Sequence, residues 1–337
     1  MIDEAQIEKA IAAGRTASAE FTQSDFEPGQ LERLNELCRK HGPKLRVRFY
    51  GYYRSVFDAN VLQQLPDVQN LAIDCIDDAI LNVERIGELR HLRRFGFGTK
   101  ALDRPDFLSL LDLSNVEVLG LGENAKHNLD LAPLAQARRL RKLEVQGHSK
   151  GIASLSGLPL LEQLTLRSLR KNQSLSFLAE IEGLRVLNLI LGGHETLLDL
   201  THEGLEFLHM TQVNGLGDLG PIRRFKRLKG LGVQEQSRVG AIDLTGASLN
   251  FFSLYNCKSL KEVKGLMDQQ ELIQLFVIGT QLPFDELRDR AWPKSLRVLR
   301  LHSKNMKWNE ATRAGLEARG YLSQGGRWFT SDLDEIY

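Results

Sequence analysis

Apolar residues in this chain recur as a triplet. Leu184, Leu187 and Leu189 are spaced L-x-x-L-x-L, and Leu205, Leu208 and Met210 repeat that spacing 21 residues later. After an irregular first strand at 44–49, further copies start at Val68, Leu92, Val116, Leu140, Leu161, Leu228, Leu249, Leu272 and Leu296. Each start is followed by apolar residues at +3 and +5, the alternation of a short strand that buries one face. Twelve such strands, 21 to 24 residues apart, predict a repeat array rather than a chain folded round one core. Between strands the apolar residues fall three apart, as in Ile152, Leu155, Leu158 and Leu161, which predicts tight helical turns. From Leu140 to Leu272 the intervals alternate 21 and 23. Leu198-Asp199-Leu200-Thr201 and Ile242-Asp243-Leu244-Thr245, with Leu111-Asp112-Leu113-Ser114 as a longer relative, predict extended return segments instead.

Over residues 44–304 this pattern resembles the leucine-rich repeat family, in which each L-x-x-L-x-L turn gives one parallel strand. The resemblance, to bacterial intracellular members above all, implies an α/β solenoid. Its horseshoe would have about twelve repeats, a parallel sheet on the concave face, and short helical or extended segments on the convex side. Helical caps are expected at 1–43 and 305–337. In the first, Leu31, Leu34, Leu37 and Cys38 stripe a helix over Gln30–His41 that Gly42-Pro43 ends, while residues 2–11 read as a second helix or a loose arm. In the second, residues 309–322 predict a helix with Asn309 as N-cap, with Trp328 and Phe329 packing beyond it and an acidic end at 331–337. One departure matters: the family's Asn or Cys after the strand is present at Asn124 and Cys257 but replaced at His148, Leu169, Gln236, Thr280 and elsewhere. Less regular turns are therefore expected.

The second residue of each motif alternates in charge: Arg93, Glu117, Arg141, Glu162, Arg185, Glu206, Lys229. Stacked strands would set these side by side as a ladder, each exposed pair contributing about 0–1 kcal/mol. Overall, 44 basic and 43 acidic residues nearly cancel, so no global field draws nucleic acid or an anionic membrane. The first residues read as no secretory signal, and no stretch is long and apolar enough to span a membrane. Three scattered cysteines, Cys38, Cys75 and Cys257, fit a reducing compartment. A cytoplasmic location is expected, or delivery to a host cell without a cleaved signal.

No motif for nucleophilic, metal or phosphate chemistry is present. The glycines of Gly96-Phe97-Gly98 and Gly120-Leu121-Gly122 fall on strands, not on a phosphate loop. His194, His202 and His209 lie close in sequence but on different sides of a repeat, so they read as ordinary surface histidines. No cofactor and no catalysis are expected. What remains is the outward sheet face. Its C-terminal half carries Ile190, Phe207, His209, Phe251, Tyr255, Phe276, Ile278, Arg300 and His302, with Gly230 and Gly232 making a slot between two aromatic strands. Such rings are not needed for the core, and aromatic anchors rimmed by Arg and His match protein interfaces. The expected function is a non-catalytic module that binds a protein partner there, as the resemblance also implies. Two alternatives stand beside it. One is the substrate-recognition part of a ubiquitin-ligase type effector, which needs a catalytic domain besides these repeats. The other is a nucleic-acid surface using Arg46, Arg48, Arg94, Lys142 and Arg167, which Asp74 and Glu144 interrupt.

Overall fold

The computed structural model describes residues 2–22, 26–51, 56–75, 79–171 and 173–323. Trp328, Phe329 and the acidic end at 331–337 lie outside them. The described chain divides into two compact units, one running to Leu161 and the other beginning at Glu162.

In the first unit six strands pair in chain order: β1 (Ala17–Phe21), β2 (Leu45–Gly51), β3 (Asn70–Cys75), β4 (Arg94–Gly98), β5 (Val118–Leu121) and β6 (Lys142–Gln146). In the second, seven do: β7 (Gln163–Arg167), β8 (Val186–Ile190), β9 (Phe207–Thr211), β10 (Gly230–Gln234), β11 (Phe251–Tyr255), β12 (Gln274–Ile278) and β13 (Val298–His302). Within each unit the strand pairs are parallel and the motif positions match one to one, Leu187 beside Leu208 and Leu231 beside Phe252. The triplet residues point inward and form the core: Leu184, Leu187, Leu189, Leu205, Leu208 and Met210 are all at most 3% exposed.

Return segments follow the expected alternation. Apolar residues three apart give 3₁₀ turns at Ile152–Gly157 and Ser176–Glu180, whereas Ala241–Asp243 is extended and pairs with Glu262–Lys264. The chain begins with α1 (Glu4–Ala12), capped by the Asp3 carboxylate, which accepts from the Gln6 amide. The helix α2 (Gln30–His41) has the predicted bounds and buries Leu31, Leu34, Leu37 and Cys38.

Two expectations for the ends are corrected. Residues 17–21 supply β1, a strand of the main sheet inside the stretch expected to be a helical cap; its Ala17 and Ala19 face inward and Ser18 and Glu20 outward. At the other end α4 (Met306–Ala318) starts earlier than predicted. Asn305, not Asn309, is its N-cap and accepts from the Trp308 amide; Asn309 is buried inside the helix, where its side chain bonds the Ser303 backbone at 2.8 and 3.1 Å. A short helix α3 (Phe284–Asp289) precedes β13, and Phe284 meets the Trp308 ring edge-on at 5.6 Å.

At His148 and Gln236, where the asparagine is missing, another polar group does the same work, and so does Cys257. Asn124 donates to the Leu102 carbonyl and accepts from the Lys126 and His127 amides. One repeat on, the His148 ring lies 3.0 Å from the Gly122 carbonyl and accepts from the Leu129 amide. Gln236 donates to the Gln234 carbonyl, and the Cys257 thiol to that of Val233. Imidazole, amide and thiol thus satisfy buried backbone groups that would otherwise cost stability. His194 and His202 are corrected with them: both are 6% exposed, their Nε2 atoms 2.8 and 2.9 Å from the Gln173 and Ile181 carbonyls.

The residue after each of the first six second-unit strands is left-handed: Ser168, Leu191, Gln212, Glu235, Asn256 and Gly279, with φ between 51° and 66°. Each of their amides donates to the carbonyl that ends the next strand, at 2.8–3.0 Å. That repeated bond holds five non-glycine residues in a conformation that sterically costs L-residues about 1 kcal/mol or more.

Candidate functional site

The second unit's pairing turns its outward residues into three columns. The first reads Val186, Phe207, Gly230, Phe251, Gln274, Val298; the middle Asn188, His209, Gly232, Ser253, Phe276, Arg300; the third Ile190, Thr211, Gln234, Tyr255, Ile278, His302. Every one of the predicted site residues lies on this face, and each is half-buried or exposed.

Phe207 and Phe251 flank Gly230, two strand spacings or about 9.6 Å apart in backbone, yet their ring centroids are 6.3 Å apart. With no side chain between them, the rings lean together above the glycine. The slot expected at Gly230 is therefore roofed, and both Gly230 and Gly232 are buried. Beside this pair Phe276 occupies the middle column one strand on, and Tyr255, 44% exposed, stands next to Ile278 in the third. Phe207, Phe251, Tyr255, Phe276 and Ile278 thus form one apolar area. Ile190 is not part of it: Thr211 and Gln234 separate it from Tyr255, three strand spacings or about 14 Å away.

His209 sits beside Gly232 in the middle column, and its Nε2 lies 3.5 Å from the Thr211 hydroxyl. Burial pushes its imidazole down to about 4, so it stands neutral at physiological pH as a polar, uncharged member of the face. Arg300 and His302 border a cavity of about 240 Å³ between β13 and α4, closed on the helix side by Met306, Asn309, Glu310 and Arg313. This cavity gave no sequence signal, because it depends on where α4 docks.

The charge ladder is real where adjoining members are seen. Arg93 grips Glu117 through Nε and Nη2, and Glu206 lies between Arg185 and Lys229, each at 2.9 Å. Hydrogen bonding to Arg185, reinforced by Lys229, outweighs burial and lowers the Glu206 carboxyl to about 2. The cysteines are buried, and desolvation raises the Cys38 thiol to about 12 and the Cys257 thiol to about 11, far from a reactive thiolate. Among the described residues no cluster of three metal-ligating side chains exists, and no helix is long and apolar enough to cross a membrane.

One parallel strand per repeat of 21 to 24 residues, an inward leucine triplet and short return turns define the leucine-rich repeat fold. No protein-family model matches the chain, and no curated protein matches it. Among solved structures it is similar to an internalin from Listeria monocytogenes, at 16% identity and a TM-score of 0.48, over 93% of this chain and 88% of that one. It is also similar to a leucine-rich repeat protein of Leptospira interrogans, at 15% identity and 0.35, over 92% and 97%. Toll in its complex with Spätzle, from Drosophila, matches at 13% identity and 0.43, over 85% of this chain and 47% of that chain. These likenesses concern the fold alone.

Proposed function

We propose that the chain is a non-catalytic interaction module that holds a protein partner on the outward, concave-type sheet face of its second unit. The observation that carries this reading is the aromatic area centred on the Phe207–Phe251 pair. The core is already filled by the inward leucines, so these rings add nothing to it that aliphatic or polar residues could not. Left in water they cost solubility, whereas under a partner each would contribute on the order of 2 kcal/mol of apolar burial. Arg300, His302 and Tyr255 supply the polar rim that surrounds such anchors in protein interfaces.

Three buried cysteines without a disulfide support a reducing, cytoplasmic setting for this reading. The test is affinity capture from the native cell's lysate with mass spectrometry, comparing the wild type with Phe251→Asp and Phe276→Asp. Partners captured by wild type and lost from both variants support the proposal; partners retained by both refute it.

A further inference from the structure

The first unit's outward face has a different character, set by arginine. Arg46 and Arg48 stand two residues apart on β2, and Arg94 stands on β4, beyond Asn70. The floor beside them is bare: Ala72, Gly96 and Gly120 are register partners in the middle column, and all are buried. Arg48 is engaged with both nearby carboxylates, Asp74 at 2.5 Å and Glu20 at 3.4 Å. The Asn70 amide donates to the Pro43 carbonyl.

Arg46 is treated otherwise. Its Nε and Nη2 are shut off from solvent, and no acceptor among the described residues meets either. Those two atoms form one edge of the guanidinium, the edge that grips an oxyanion in a fork. Elsewhere in this molecule the same edge is met by oxygen acceptors: Arg33 holds Glu4 at 2.7 and 2.6 Å, Arg39 holds Asp67 at 3.0 and 2.7 Å, Arg93 holds Glu117 at 3.1 and 2.5 Å, and Arg224 donates to the Leu200 and Leu197 carbonyls at 3.1 and 3.0 Å. Leaving buried charged donors unmade is among the costlier arrangements in a folded protein. Burial, first, and then the like charge of Arg48, with a smaller part from Arg94, disfavour the Arg46 cation, against the attraction of Glu20 and Asp74. An incoming anion would relieve all of these at once.

We propose that the Nε/Nη2 edge of Arg46, set between Arg48 and Arg94 beside the floor of Ala72, Gly96 and Gly120, binds an oxyanion, a carboxylate or phosphate group borne by a ligand entering the first unit's outward face. This site is independent of the aromatic area on the second unit. The test uses the full chain with inorganic phosphate and, separately, acetate as probes, against chloride at equal ionic strength. Two readouts are taken: the side-chain Nε–H resonance of Arg46 and the melting temperature. Wild type should show a saturable Nε–H shift and a melting-temperature rise of a few degrees with at least one probe. Arg46→Lys keeps the charge but lacks the fork and should lose most of that rise; Arg46→Met should lose all of it. A response to phosphate alone assigns the phosphate class, and one to acetate alone the carboxylate class. No saturable shift with either probe, or an equal melting-temperature rise in Arg46→Met, overturns the proposal. Phe251→Asp should leave the response intact, which separates this site from the protein-binding face.

Discussion

The rings of Phe207 and Phe251 meet at 6.3 Å across the bare backbone of Gly230. The glycine is what lets them: any side chain at 230 would stand in the first column between them. A double-mutant cycle of Phe207→Ala and Phe251→Ala should give a coupling of about 0.5–1.5 kcal/mol in chemical denaturation. Gly230→Val should abolish that coupling, and its persistence would show that the rings do not depend on the gap.

Leu208, fully buried one residue from Phe207, answers differently. Leu208→Asp should destabilise by more than about 3 kcal/mol, because the carboxylate would be desolvated without a partner. Phe251→Asp should keep its circular dichroism spectrum and melt close to wild type. Equal losses in the two variants would mean that Phe251 belongs to the core.

Glu206 makes stability depend on acid. Its folded carboxyl titrates near 2 against an ordinary 4.5, so the stabilisation is fully present above pH 4.5 and is lost as pH falls towards 2. After discounting for the exposure of Arg185 and Lys229, the effect is on the order of 1–2 kcal/mol. Glu206→Gln should flatten the denaturation free energy between pH 5 and 2 by about that amount. An unchanged acid limb would remove Glu206 from the account.

His209 works in a neighbouring window. Burial lowers its folded value to about 4, below the 6.5 of an open chain, so the folded state loses stability as pH falls from 6.5 towards 4 and keeps it above. Imidazole resonances followed by NMR should show His209 neutral down to about pH 5. A midpoint near 6.5 would show the ring solvated.

The left-handed column predicts opposite responses to two substitutions at one exposed position. Gln212, with φ of 51°, donates its amide to the Gln234 carbonyl. Gln212→Gly should leave stability unchanged or raise it by up to about 1 kcal/mol, while Gln212→Val should lower it by about 1–2 kcal/mol, since a β-branched residue fits that region worst. Equal effects would mean that the turn is not held left-handed.

Most of the array was legible because one residue spacing fixes both the strand and the side of the sheet that each side chain takes. Leu208 and Phe207 could be assigned to core and surface from their places in the motif alone. The pairing of Phe207 with Phe251 was not, since it depends on rings leaning across a gap. Residues 17–21 escaped notice because Ala17 and Ala19 are small and carry no leucine signature, although their alternation with Ser18 and Glu20 is that of a strand. The histidines misled for a chemical reason. His148, His194 and His202 bond main-chain carbonyls as an asparagine might, and a search for one residue type does not find a role shared by several. Arg46 looked like one basic residue among many until its environment showed that its neighbours' carboxylates were taken.

On the proposed function, the aromatic area around Phe251 is where a protein binds. Its most direct measurement is capture from native lysate by wild type and by Phe251→Asp, both shown to be folded. A protein enriched at least tenfold by wild type and absent from the variant's eluate is expected, the loss of roughly 1.4 kcal/mol or more of binding energy. Recovery of the same protein in equal amount by both would contradict it.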